Sequence, residues 1–234
     1  MDEFALYKGT STDIPTIIAS KEYETLVKKV PNLGAQDGSV YLKFTVKNES
    51  KDYFIAGFVD NPMLDEIDIY VIDKEPRLIV SSGEKISHTE RGSDHPGVNF
   101  QLFIQPNQSS TFLARIKTGE QMVFPVKLGT ERYINAEQSR KELFYGLYLG
   151  CVLVMLIYNL FVYLTVRDKV YLYYVAYILT VGLTQLVLNG YAAKYLWPDS
   201  ANLAALSSVV VPALSGITTV IFSRHFIQTK KFTP

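Results

Sequence analysis

Glu66 and Asp68 are the residues of this 234-residue chain that come nearest to a catalytic pair. Two positions apart on a strand, they leave one face with their side chains roughly 7 Å apart. Paired carboxylates could act as acid and base on a glycosidic bond. They also alternate with apolar residues, as a solvated strand face does, and Asp65 belongs to the turn end. His88, Asp94 and His95 could ligate a metal from a loop, but no spacing among them is diagnostic and a solvated loop accounts for them. No G-x-S-x-G, phosphate-binding loop, H-E-x-x-H or paired C-x-x-C occurs, so neither a metal nor a cofactor is expected. The preferred reading is a non-enzyme. The alternative is a membrane-anchored carbohydrate-active enzyme using Glu66 and Asp68.

A second group of polar residues sits where polarity is costly. Asn159, Gln185 and Asn189 fall inside long apolar runs. An unpaired amide in hydrocarbon is expensive, so such groups face other helices or a cavity. They either help to set signalling states or act as structural glue between helices. Gly146 and Gly150 form a G-x-x-x-G, with which a helix can approach a partner closely. Packing inside one protomer explains it as well as homodimerisation does.

These residues are placed by three runs without an ionisable Asp, Glu, Lys, Arg or His: Leu143–Val166, Val170–Ala193 and Ser200–Ser223. As helices each reaches roughly 36 Å, and a bilayer core is about 30 Å thick. Three such runs separated by short charged loops indicate three transmembrane helices, about 143–166, 170–193 and 203–226. The charge is unevenly placed. Residues 1–142 carry 17 Lys+Arg and 21 Asp+Glu, whereas residues 143–234 carry six and two. A mildly acidic polar half gives no electrostatic case for nucleic acid. Cys151, the single cysteine, lies in the first apolar run, so the polar half has no disulfide. The start, "MDEFALYKGT", is not a secretory signal peptide. An exported N-terminal half would need a signal already removed or lying upstream, and the end at Pro234 suggests a piece of a longer protein.

Residues 1–36 read as a lead-in of loops and short strands. From Val40 the period is two: Val40, Leu42, Phe44 and Val46 share one face, Tyr41, Lys43, Thr45 and Lys47 the other. "YFIAGFV", "EIDIYVI", "RLIVSS", "GVNFQLFIQ", "STFLARIKT" and "MVFPVKL" continue the series between turn sequences. Residues 37–128 are therefore an all-β jelly-roll or sandwich domain. Its aromatics, such as Tyr41, Tyr53, Phe54, Phe58 and Tyr70, could stack on a sugar, although most belong to the core.

Residues 129–142 form a connector. Asn135 followed by Gln138 has capping-box spacing, which puts the start of the first membrane helix near Ala136. The "RDK" loop after Val166 forces a tight antiparallel hairpin. Tyr191, Tyr195 and Trp197 suit an interfacial belt, and Pro198 with Asp199 and Ser200 suits a helix start. Pro212 should kink the third helix. Residues 227–234 would form a cytoplasmic tail stub. Basic residues are too evenly divided to orient the helices, leaning only weakly towards a cytoplasmic "RDK" loop.

The membrane half resembles bacterial seven-transmembrane receptors with diverse intracellular signalling modules (7TMR-DISM). The likeness rests on Gly146, Tyr148 and Gly150, Tyr158-Asn159-Leu160-Phe161, Arg167-Asp168, Tyr171-Leu172-Tyr173-Tyr174, Asn189-Gly190 and Leu196-Trp197-Pro198. "YLKFTVKN", "NPMLDEIDIYVID", Phe100 with Leu102, and "FLARIKTGEQMVFPVKL" are similar to that family's second extracellular domain, with Tyr41 where Trp is frequent. The resemblance implies a jelly-roll-like sensor outside the bacterial cytoplasmic membrane, binding a carbohydrate or another small ligand. It also implies seven helices among membrane lipids and a cytoplasmic output module. This chain carries three of those helices and no output module, so it would signal through a module on the same receptor or, as an adaptor, through a partner protein.

Overall fold

Alternation of apolar and polar residues produces the strands of the first half. The computed structural model describes residues 4–26, 30–35, 38–73, 75–91, 95–119 and 121–227. The chain divides into two units, Met1–Gln138 and Ser139–Pro234.

The first unit is an antiparallel β-sandwich. Its described strands are β1 (Phe4–Tyr7), β2 (Tyr23–Leu26), β3 (Asn32–Ala35), β4 (Ser39–Lys47), β5 (Phe54–Val59), β6 (Glu66–Ile72), β7 (Pro76–Ser82), β8 (Val98–Phe103), β9 (Ser109–Lys117), β10 (Gln121–Val123) and β11 (Val126–Gly129). One sheet has the order β2-β1-β4-β9-β6-β7 and the other β11-β5-β8, while β10 pairs with β3. The core lies between the two larger sheets. Phe4, Leu42, Phe44, Ile67, Ile69, Phe112 and Ile116 meet Ile55, Val59, Phe100 and Leu102 there. Phe44 stacks on Phe112 with ring centroids 5.7 Å apart.

The outer face of the six-stranded sheet is partly covered too. A short helix, α1 (Ile14–Ala19), is capped by Asp13, whose carboxylate accepts from the Thr16 N–H at 3.1 Å. Its Ile17 joins Tyr7, Tyr41 and Leu113 in a second cluster. Residues 4–26 are thus not a lead-in: β1 pairs with β4 through Phe4 and Phe44, and β2 extends the sheet. Four-residue strands are too short for alternation to reveal. "MVFPVKL" is two strands rather than one. Pro125 has no N–H to donate, and the chain changes partner there, from β3 to β5.

The second unit is helical. Helix α2 (Glu131–Val166) starts in the first unit and supplies the first span of the second. It starts five residues before the expected Ala136. The Thr130 hydroxyl accepts from the Tyr133 N–H at 3.3 Å and its carbonyl from the Ile134 N–H at 3.1 Å, so Thr130 takes the capping place expected of Asn135. Helix α3 (Lys169–Leu188) is capped by Asp168, which accepts from the Val170 N–H at 2.9 Å. The expected helix 170–193 stops at Leu188. Gly190 adopts φ 73°, which the right-handed helix excludes, and a separate α4 (Tyr191–Tyr195) follows. Helix α5 (Ala201–Phe226) is capped by Ser200 and runs on through Pro212. The helices α2, α3 and α5 are long and apolar enough to cross a membrane. Residues 228–234, most of the expected tail stub, lie outside the described residues.

Candidate functional site

Cross-strand register decides what Glu66 and Asp68 can do. Strand β6 runs between β9 and β7, which sets Asp68 opposite Arg115 on one side and Ser81 on the other. Arg115 forks: Nε donates to Asp68 Oδ2 at 2.8 Å and Nη2 to Glu66 Oε2 at 2.9 Å. Ser81 Oγ donates to Asp68 Oδ1 at 2.6 Å, and Lys85 Nζ to Glu66 Oε1 at 2.9 Å. A general acid must hold its proton, which takes an environment that raises its pKa. Here the hydrogen bond from Lys85 holds the Glu66 carboxyl below its ordinary range. The pair is organised for charge neutralisation across β9, β6 and β7. Burial pushes the neighbouring Tyr41 and Tyr70 phenols up.

His88 and His95 lie on the segment between β7 and β8, and Asp94 falls outside the described residues. Among the described residues no three His, Cys, Asp or Glu side chains gather around a common point.

The three-stranded sheet carries a different surface. Its outward pairs are Phe58 with Asn99, Ala56 with Gln101 and Phe54 with Phe103. Ile134 of α2 covers Ala56 and Phe58. Gln138 Nε2 donates to Asn99 Oδ1 at 2.7 Å. The last pair is left open: Phe54 and Phe103 are each 56% exposed and the adjoining Tyr53 54%. Tyr53 stacks on Phe103 with centroids 6.3 Å apart, and Phe54 meets Phe103 edge-on at 5.5 Å. These rings line a cleft of about 780 Å³ with Gln101 and with Thr130, Glu131 and Arg132 at the start of α2. Tyr53 and Phe54 are among the aromatics singled out from sequence, but Phe103 and Arg132 are not. An aromatic at the outward position of the alternating "VNFQLF" was the available signal.

A second cleft, of about 640 Å³, lies beside β1 and β4 near Tyr7 and Tyr41. Those rings are buried and meet each other at 6.2 Å, so they offer no open face.

In the helical unit Asn189 and Gln185 come together. Asn189 Oδ1 accepts a short hydrogen bond from the Tyr145 hydroxyl of α2, and its Nδ2 donates to the Gln185 carbonyl at 2.9 Å. Asn159 instead donates to the Met155 carbonyl of its own helix at 2.8 Å. A Cβ on Gly146 or Gly150 would meet nothing within 4 Å among the described residues, whereas one on Gly182 would lie 2.9 Å from Val152. Close approach within this unit therefore falls at Gly182. Tyr145 with Asn189 and Val152 with Gly182 are in antiparallel order, as the short Arg167–Asp168 loop requires. Between α3 and α5, the Thr180 and Thr218 hydroxyls are 2.7 Å apart.

Two family models match the chain. The one described as 7TMR-DISM extracellular 2 covers residues 7–130, and the one described as 7TM diverse intracellular signalling covers residues 141–234. No curated protein matches the sequence. An antiparallel β-sandwich matched by the extracellular model, followed by membrane-length helices matched by the 7TM model, places the chain: it belongs to the 7TMR-DISM family of membrane signalling receptors.

Proposed function

We propose that this chain is the sensing and membrane-entry portion of its receptor, held in a bacterial cytoplasmic membrane with the β-sandwich outside. The sandwich takes a small, carbohydrate-like ligand, and its occupancy is passed through α2 to the membrane helices and on to a cytoplasmic output module. The observation that carries this reading is α2 itself. One helix begins at Glu131, is held to the sandwich by Ile134 and Gln138, and continues without a break to Val166. A ligand can shift a receptor only by its differential affinity for two states. A helix shared by the sensor and the first span lets such a difference reach the membrane.

Within the bundle, Asn189 and Gln185 with Tyr145 are the candidates for helix–helix relay. Asn159 is a packing candidate, and Gly146 and Gly150 are candidates for contact with further helices or a second copy of the chain. The carbohydrate-active alternative is disfavoured by the Arg115 fork, which commits both carboxylates to ion pairs.

The test is to insert four glycines after Glu142 in the receptor carrying its output module. Loss of the output response, with membrane insertion and the folded β-sandwich retained, is expected. An unchanged response contradicts the relay.

A further inference from the structure

We propose that α4 is a latch: its Tyr191 and Lys194, with Asn189 beside them, grip Glu142 and Tyr145 of α2, and release of that grip switches the receptor between two signalling states. The proposal rests on reading α2 as the relay, and it names the contact that sets the position of that helix.

The grip is built from two matched pairs. Glu142 and Tyr145 are three residues apart and share a face of α2, as Tyr191 and Lys194 share a face of α4. The pairs meet in antiparallel order. Lys194 Nζ lies 3.8 Å from Glu142 Oε1, and the Tyr145 and Tyr191 ring centroids are 5.1 Å apart. The hydroxyl of the same Tyr145 donates to Asn189 Oδ1. Asn189 is held ready to accept, because its own N–H and its Nδ2 both donate to the Gln185 carbonyl. Gly190, at φ 73°, then turns the chain into α4.

Helix α4 is the fixed side of this contact. Its Ala192 is 1% exposed and clusters with Val187 of α3 and Val211 of α5, against which Trp197 packs. Helix α2 is the less anchored side. Only 6% of its most apolar window is buried, against 22% for α3. Further along, Val152 meets Gly182 through an apolar contact, which is non-directional. The ion pair and the hydrogen bond at Glu142 and Tyr145 are directional, so turning or sliding α2 breaks them. Opening the latch leaves its polar groups with other contacts. Lys194 Nζ already lies 5.0 Å from the centre of the Tyr195 ring, and Asn189 keeps its bond to Gln185. Two arrangements close in free energy are what a switch requires.

The experiment reads two quantities on each variant. One is the α2–α4 distance in the full chain in lipid nanodiscs, from double electron–electron resonance between spin labels at Leu143→Cys and Leu196→Cys, both exposed positions, with Cys151→Ala. The other is the basal output of the receptor carrying its output module. The parent should give one narrow distance distribution. Glu142→Gln, Lys194→Met and Tyr145→Phe should each broaden or lengthen it, and all three should shift basal output in the same direction, by roughly two- to tenfold, the effect of losing one bond. The charge swap Glu142→Lys with Lys194→Glu should return both readouts towards the parent, which a misfolded variant would not do. Leu153→Ala, at an exposed position of α2, should change neither. Unchanged distances, output shifts of opposite sign, a changed distance with unchanged output, or a charge swap that rescues neither readout overturns the latch. If the glycine insertion after Glu142 still abolishes the response in those cases, the relay stands and the latch alone falls. An unchanged response after that insertion removes the relay, and the switching role with it, whatever the distances.

Discussion

Gln138, on α2, donates from Nε2 to Oδ1 of Asn99 on β8 at 2.7 Å. With Ile134 against Ala56 and Phe58, this bond holds the first two turns of α2 to the three-stranded sheet. Ile134 and Gln138 are both buried. Ile134→Ala should cost about 2–5 kcal/mol in the stability of the β-unit, the range for truncating a buried aliphatic residue. Gln138→Ala should cost about 1–3 kcal/mol, because Asn99 loses its partner. Chemical denaturation followed by far-UV circular dichroism measures both. Equal, negligible effects would mean that these turns are not docked.

Arg115 holds the outer face of the six-stranded sheet together through Asp68 and Glu66. Arg115→Ala strands the largely buried Asp68 and should cost about 1–3 kcal/mol. Arg115→Lys should recover only part of this, since an ammonium cannot reproduce the planar fork. The network also sets a pH dependence. The Glu66 carboxyl is held below its ordinary value, chiefly by the hydrogen bond from Lys85. Its contribution is therefore fully present above the ordinary carboxylate value and is lost as pH falls through the depressed one. Acid titration of the unfolding midpoint should show this loss in the parent, and Glu66→Gln should flatten the same part of the curve. A parallel acid decline in Glu66→Gln would assign it elsewhere.

The glycines of the bundle should behave differently from one another. Gly182→Leu pushes into Val152 of α2, and should loosen the α2–α3 hairpin in this chain. Gly146→Leu and Gly150→Leu meet open space among the described residues and should leave hairpin stability unchanged. Steric trapping or a detergent unfolding assay separates the two cases. The opposite ranking would put the close contact on the G-x-x-x-G face.

The strands from Val40 to Phe103 are legible in the sequence because burial on one face imposes a strict period of two, as at Leu42, Phe44 and Val46. The membrane spans are legible because hydrocarbon excludes charge over a fixed length. What was hidden depends on partners far along the chain. Nothing local to Glu66 announces Arg115, 49 residues away, and nothing local to Thr130 shows that Ile134 will be buried and so draw the helix start upstream. The break after Leu188 was written in Asn189-Gly190, a turn sequence masked by the apolar residues on either side. The open aromatics escaped for a related reason. Tyr53, Phe54 and Phe103 resemble core residues until register shows which face of β5 and β8 they occupy.

Amide hydrogen exchange across residues 131–142, measured on the full chain in nanodiscs, tests most directly whether the β-sandwich and the first membrane span share one helix. A helix that starts at Glu131 and continues to Val166 keeps the amides of residues 135–142 hydrogen-bonded, and they should exchange as slowly as those just inside the first span. Exchange at the rate of an unstructured peptide anywhere between Asn135 and Glu142 would mean a hinge in place of a continuous helix, and would contradict the relay.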